Sequence, residues 1–272
     1  MNTLPLEDNV DDVLGKAQRG LKLDDQALLS ASGLSESQWE GLLAGKGDAA
    51  LYEKVAPVLE LDAAALKGYA KYAPRPVTLP GLLAFNTPFD DMTVNAYLAW
   101  DAETKEAVLF DTSTDATVIL EALEREGLNL RLVLLTHTHG DHILELDRIV
   151  ERTGADAYVC EKEPLEGAQP FEAGDSFQCG SLKIASRQTS GHSPGGITYL
   201  LKGLSRPVAV VGDALFAGSM GGAPNAWNHA RESSCREILT LPEETVICPG
   251  HGPLTTVGEE RLHNPFFAAR FA

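Results

Sequence analysis

Leu134-Leu135-Thr136-His137-Thr138-His139-Gly140-Asp141-His142 turns abruptly from apolar to polar: four of the seven side chains from Thr136 to His142 are histidine or aspartate. The residues before it, Arg131-Leu132-Val133-Leu134-Leu135, read as an apolar strand. In an extended segment alternate side chains share a side, so His137, His139 and Asp141 are expected to converge on one point. His142 would then face a neighbouring point. Two ligand clusters a few ångströms apart describe a two-metal site. Neutral imidazole and carboxylate suit zinc, iron or manganese, so the motif leaves the metal open.

A single histidine is usually a surface or core residue, and one His-x-His arises often by chance. Here three more motifs follow in order: Gly191-His192-Ser193-Pro194-Gly195-Gly196, Val210-Val211-Gly212-Asp213-Ala214-Leu215-Phe216 and Cys248-Pro249-Gly250-His251-Gly252-Pro253. The last two set an Asp or His beside the end of a short apolar run, and glycine or proline flanks all three. Five of the seven histidines lie in these motifs, so the pattern reads as one site gathered from distant segments.

The set His137-x-His139-x-Asp141-His142, His192, Asp213 and His251 resembles the full ligand set of the metallo-β-lactamase fold superfamily. The framing Gly-His-Ser-Pro-Gly, Gly-Asp-Ala-Leu-Phe and Pro-Gly-His-Gly is similar to its glyoxalase II-like (hydroxyacylglutathione hydrolase-like) branch. The tail from Thr255 to Phe267, with Gly258-Glu259-Glu260 and Asn264-Pro265-Phe266-Phe267, resembles the short bacterial members of that branch. The resemblance implies an α/β (α+β) fold: a four-layer αββα sandwich over residues 76–272, preceded by a small all-α domain at 1–75. It implies that His137, His139 and His192 bind one metal and Asp141, His142 and His251 a second, with Asp213 bridging. Asp141 and Asp213 would be the catalytic carboxylates. The expected cofactors are two divalent ions, zinc first, with iron or manganese also compatible. The expected reaction is hydrolysis of a thioester such as a hydroxyacylglutathione by a metal-bound hydroxide.

Two other functions compete. Persulfide dioxygenases share the fold and motifs but use one iron, held by residues matching His137, His192 and Asp213. A regulatory protein would instead contact DNA through its N-terminal domain. After His142 the chain departs from the small residues usual in the branch: Ile143-Leu144-Glu145-Leu146 are bulkier and are expected to narrow the mouth of the site.

Composition bounds the partners. The formal net charge of −17 argues against sequence-independent nucleic-acid binding, which needs lysine and arginine to neutralise phosphate. No apolar run approaches the ~18 residues of a membrane span. The acidic start Met1–Asp8 lacks the basic and apolar regions of a signal peptide. Cys160, Cys179, Cys235 and Cys248 form no Cys-x-x-Cys pair and fit a reducing cytoplasm, the expected location. The expected partner is a small-molecule thioester or thiol, with no nucleic acid and no membrane.

Residues 1–72 read as a string of short helices. Val10, Val13, Leu14 and Ala17 share one helical face; Asp24, Asp48 and Asp62 offer N-caps, and Ser35–Gln38 is a capping box. Leu23–Leu61 resembles a helix-turn-helix domain of the phage-repressor or cyanase N-terminal type. Its reading helix would be Ser35–Leu43, which offers Glu36 and Glu40 but no lysine or arginine. Residues 1–75 hold 8 Lys+Arg against 12 Asp+Glu, a net of −4. A packing or homo-oligomerisation role is therefore expected for this domain.

From Val77 the texture changes to strands, expected at 93–100, 107–110, 131–135, 157–160, 182–186, 197–201, 207–211 and 245–248. Asp115 can cap a helix through Glu126 that Gly127 ends, and another helix is expected around Arg231–Leu239. Asp111 is either a partner for a metal ligand or a turn former. His229 and His263 read as surface residues. Arg187, Arg206, Arg231 and Arg261 are the cations nearest the motifs; each could hold a substrate carboxylate, and each is by default a solvated surface arginine.

Overall fold

The structure is a computed structural model, and residues 4–271 are described. It begins with five short helices: α1 (Val10–Gly20), α2 (Asp25–Ser32), α3 (Glu36–Leu43), α4 (Ala49–Val55) and α5 (Ala63–Gly68). Side chains close the starts of most. Asp24 accepts from the Ala27 N–H, Asp48 from Leu51 and Asp62 from Ala65, while Ser35 and Gln38 form a reciprocal box on α3. Each satisfies a backbone donor that the first helical turn would leave orphaned.

Two six-stranded sheets follow. The first runs β1 (Leu82–Phe89), β2 (Met92–Trp100), β3 (Glu106–Phe110), β4 (Asn129–Leu134), β5 (Asp156–Cys160) and β6 (Gln169–Phe171), in that spatial order. Strands β1 to β3 pair antiparallel. Strands β3 to β6 pair parallel, with α6 (Ala116–Glu126) crossing between β3 and β4 and α7 (Gly140–Ile143) and α8 (Leu146–Thr153) between β4 and β5. The second sheet holds β7 (Ser176–Cys179), β8 (Leu182–Gln188), β9 (Ile197–Lys202), β10 (Val208–Gly212), β11 (Val246–Pro249) and β12 (Thr255–Thr256). Helix α9 (Trp227–Glu237) connects the parallel pair β10 and β11, and α10 (Val257–His263) follows β12.

The period-2 alternation of the strands sorts the side chains into separate cores. Tyr97, Val108, Phe110 and Leu134 face inward and meet Val208, Val210, Val246 and Cys248 of the other sheet. Their neighbours Leu98, Leu109 and Val133 face outward against Ile119 and Leu123 of α6 and Ile149 of α8. On the far side Ala209, Val211 and Ile247 pack with α9, α10 and the N-terminal helices, in one cluster with Leu14, Leu28, Trp39, Leu42 and Leu59. The layers are therefore helix, sheet, sheet, helix. The N-terminal helices share the outermost core with the second sheet and α9.

Strands β1, β6, β7 and β12 carry little sequence signal. β1 contains Pro88 and β6 contains Pro170, and both lie at sheet edges, where a missing N–H costs no ladder bond. The helix expected around Arg231–Leu239 starts earlier, at Trp227, whose ring is buried against Phe266. Among the described residues, no helix is long and apolar enough to cross a membrane.

Candidate metal centre

The seven expected ligands come together at one edge of the sandwich, on the segments that follow β4, β8, β10 and β11. One nitrogen or oxygen from each of His137, His139, His192 and Asp213 falls within a 4.8 Å span, and the same holds for Asp141, His142 and His251. The extended reading had put Asp141 with His137 and His139. In the structure β4 ends at Leu134 and Gly140–Ile143 is helical, so Asp141 turns to the side of His142 and His251. Its Oδ2 lies 3.4 Å from Nε2 of both. Asp213 stands between the groups: Oδ2 is 3.3 Å from His192 Nε2 and 3.4 Å from His251 Nε2, and Oδ1 is 3.4 Å from His142 Nε2.

Four of the five rings are aimed by a fixed partner. His192 Nδ1 donates to the Gly222 carbonyl at 2.9 Å and His251 Nδ1 to the Thr93 carbonyl at 2.7 Å. A carbonyl oxygen only accepts, so the proton sits on Nδ1 and the Nε2 lone pair faces the centre. Asp111 partners His142, one of the candidate ligands. Its carboxylate accepts from the Thr136 N–H at 2.7 Å, the Thr136 hydroxyl at 2.8 Å and His142 Nδ1 at 2.9 Å. The Thr136 hydroxyl in turn accepts from His137 Nδ1 at 3.0 Å. His139 presents Nδ1 instead, 3.1 Å from His137 Nε2 and 2.9 Å from His192 Nε2.

This arrangement needs positive charge at its middle. His142 Nε2 and Asp213 Oδ1 are buried and make no hydrogen bond, yet they face each other 3.4 Å apart. With its proton on Nδ1, His142 offers a lone pair toward an anionic oxygen, and a metal ion or a second ring proton between them relieves the repulsion. The proton balance shows the same demand. Burial would lower His142, but Asp213 and Asp111 hold it well above the usual histidine range. Against burial, Asp213 likewise lifts His251 to about 9. Burial pushes His137 and His192 down, toward the neutral imidazole that a metal requires. The His/Asp cluster is suited to metal ions.

The backbone passes close against the ligands. A Cβ at Gly250 would lie 2.1 Å from Asp213 Oδ1, and one at Gly221 would lie 2.2 Å from the Asp213 carbonyl and 2.8 Å from His192 Nδ1. The Pro249–Gly252 turn is held by Asn95 Nδ2, which donates to the Pro249 and Gly252 carbonyls at 3.0 and 2.8 Å, and by Tyr97, whose hydroxyl donates to Pro249 at 2.7 Å. Asn95, Tyr97 and the carbonyls of Thr93 and Gly222 escaped the sequence reading. Backbone carbonyls carry no residue signature, and Asn95 sits inside a strand pattern that hides its role.

The arginines considered for a substrate carboxylate are engaged elsewhere. Arg231 is a correction: it is buried, not solvated, and binds Glu60 Oε2 at 2.6 Å and the Glu60 carbonyl at 3.0 Å. Arg187 donates to the Glu237 carbonyl, Arg206 to that of Glu244, and Arg261 to those of Leu239 and Leu241. His229 is exposed and contacts the Ser190 hydroxyl at 2.9 Å, and His263 stacks on Tyr72. Leu144, expected to narrow the mouth, is 57% exposed.

The model of the metallo-beta-lactamase superfamily matches residues 89–251, which span every ligand. Hydroxyacylglutathione hydrolase GloC of Haemophilus influenzae is 29% identical over 202 residues, 65% of this chain and 93% of that protein. The structure of ETHE1 from Myxococcus xanthus superposes with a TM-score of 0.62 at 28% identity, covering 69% of this chain and 85% of that one. TTHA1623 in a di-iron-bound form gives a TM-score of 0.53 at 27% identity over 67% of this chain and all of that one, 100%. With the ligand motifs, the layered sheets and the family match in agreement, the chain belongs to the metallo-beta-lactamase superfamily.

Proposed function

We propose that the protein is a metal-dependent hydrolase that cleaves a thioester of the hydroxyacyl-thiol class, such as a hydroxyacylglutathione. The observation that carries the metal reading is the buried His142 Nε2 facing Asp213 Oδ1 without a hydrogen bond, inside a ring of further candidate ligands. His137, His139 and His192 would hold one divalent ion and Asp141, His142 and His251 a second, with Asp213 placed between the two sets. Zinc suits imidazole and carboxylate, and the di-iron form of a structural neighbour makes iron the second candidate. When bound, such a pair makes hydroxide available near neutral pH and offsets charge developing on the thioester oxygen and the leaving thiolate.

The chain's own residues do the positioning. Asp111 and the carbonyls of Thr93 and Gly222 keep a ring proton of His142, His251 and His192 on Nδ1, so that Nε2 of each is turned to the centre. Asp213 would orient the attacking oxygen from its central place, and Asp141 from the side of His142 and His251. The similarity to a hydroxyacylglutathione hydrolase supports the thioester as substrate class.

Elemental analysis of protein purified without added metal should return about two zinc ions or a mixed pair per chain. Hydrolysis of a hydroxyacylglutathione should be measured beside oxygen uptake with glutathione persulfide. Asp213→Asn keeps the shape but weakens the anionic bridge, and should retain less than about one hundredth of the thioesterase rate. One iron per chain, oxygen uptake and no thioesterase activity would overturn the hydrolase in favour of a persulfide dioxygenase.

A further inference from the structure

The loop from Asp213 to Gly222 connects two of the ligands through its backbone. The Gly221 N–H donates to the Asp213 carbonyl at 3.0 Å, and the Gly222 carbonyl receives His192 Nδ1 at 2.9 Å. Its tip is a tight turn in which Phe216 and Ser219 exchange backbone hydrogen bonds at 3.0 and 3.1 Å. The Phe216 ring meets His251 edge to face, centroids 5.4 Å apart. Any shift of this loop therefore reaches Asp213, His192 and His251 together.

Two charged residues from the first sixteen grip that loop. Lys16 of α1 donates to the Met220 carbonyl at 2.9 Å and lies 5.0 Å above the Phe216 ring. The same ammonium pairs with Asp8, whose carboxylate also accepts from the Ser219 hydroxyl. Asp8 is itself held: the Tyr69 hydroxyl donates to its carbonyl at 2.9 Å. The side chains of Lys16 and Asp8 are only 14% and 8% exposed. The pair touches residues 216, 219 and 220, one step from Gly221, which packs on both Asp213 and His192.

We propose that the Asp8–Lys16 pair is a positioning device for the metal centre, and that the N-terminal helical segment is thereby a working part of the site. The proposal rests on the metal reading above. A buried ion pair is a poor source of stability, because desolvation offsets most of its attraction, and an apolar pair of similar volume usually serves folding as well. What this pair supplies is direction. It binds main-chain and side-chain atoms at fixed points of one loop, and that loop sets the spacing of three ligands. The family model begins at residue 89, so the device lies outside the part of the chain the family shares.

The test uses the full chain and zinc alone, with competition against a chromophoric chelator as the readout. Lys16→Met keeps the length of the side chain and removes the charge. It should lower zinc affinity about tenfold, the lower end of what losing an indirect partner of a metal ligand costs. Asp8→Asn should do likewise, the double variant should fall short of the sum, and Lys16→Arg should recover part of the loss. Leu28→Ala is the control: it loosens the same helical segment from within its core without touching the loop, and should leave zinc affinity unchanged well below its melting temperature. Lys16→Met with wild-type affinity overturns the proposal and leaves the metal reading standing. An equal loss in Leu28→Ala overturns it too, since the effect would then be general loosening. A wild type that binds no zinc or iron removes both.

Discussion

Asp111 shows how much the site depends on groups that touch no substrate. Its main chain takes a left-handed φ of 55°, and Ser113 follows at 59°, conformations that cost side-chain-bearing residues free energy and persist where surroundings over-determine them. Here the strain is held by three hydrogen bonds into the ligand segment, which fasten Thr136 to His142. Asp111→Asn should fold, because the shape is kept, yet it replaces an acceptor with an amide beside His142 Nδ1 and removes the charge that makes that ring a strong ligand. Metal affinity should drop by about 10- to 100-fold in a competitive chelator titration. An unchanged affinity would reduce Asp111 to the turn former that was the other reading of its position.

At the scale of elements, α10 carries a carboxylate into the core. Glu260 is fully buried and accepts from the Tyr72 and Thr255 hydroxyls at 2.7 and 2.8 Å, from Asn264 Nδ2 at 2.8 Å and from the Gly218 N–H at 2.9 Å. It thus fastens α10 both to the segment after α5 and to the loop that follows β10. Burial pushes its carboxyl up to about 7, while the donors from Tyr72, Asn264, Thr255 and Gly218 pull the other way. Its ordinary value is 4.5, so between pH 4.5 and about 7 the folded chain holds a proton that the unfolded chain has lost. This group's contribution to stability therefore falls as pH rises through that window, by at most about 1.4 kcal/mol per unit, and is flat above it. Urea unfolding across pH 4.5 to 8 should show the wild type losing stability relative to Glu260→Gln up to about pH 7. Parallel curves for the two proteins would refute the assignment.

At the scale of the molecule, the N-terminal helices cover what would otherwise be an open apolar face. Ala209, Val211, Leu215, Ile247, Phe266 and Phe267 share one core with Leu14, Leu28, Trp39 and Leu42. The buried Arg231 adds an ion pair to the exposed Glu60, and the Asp62 N–H donates to the Pro265 carbonyl at 2.7 Å, both across the same boundary. A protein lacking residues 1–72 would expose that face, well beyond the scattered single apolar residues a soluble surface tolerates. It should bind a hydrophobic dye strongly and elute from size exclusion as aggregate. A monomeric, dye-silent truncation with a cooperative melt would show that the second sheet does without this cover.

The central strands, the N-caps and the clustered histidines and aspartates were legible in the amino-acid order because each rests on local rules. Alternation splits Leu98 from Tyr97 and Val133 from Leu134, Asp24 and Asp48 cap their helices through N–H groups three residues on, and histidines at glycine-rich strand ends stand out in composition. Edge strands with Pro88 and Pro170 were illegible, since a strand paired on one side needs no alternating pattern. The side of Asp141 depended on a helix starting at Gly140, which a two-residue period cannot anticipate. Apart from Asp111, the partners of the candidate ligands were beyond local reading. The Gly222 carbonyl lies 30 residues from His192, that of Thr93 158 residues from His251, and the Asp8 carboxylate 211 residues from Ser219. Such contacts exist only once the layers have packed. The order of residues determined which groups could bind a metal, and tertiary structure alone decided which way each one faces, because orientation is set by hydrogen bonds between segments that are neighbours only in space.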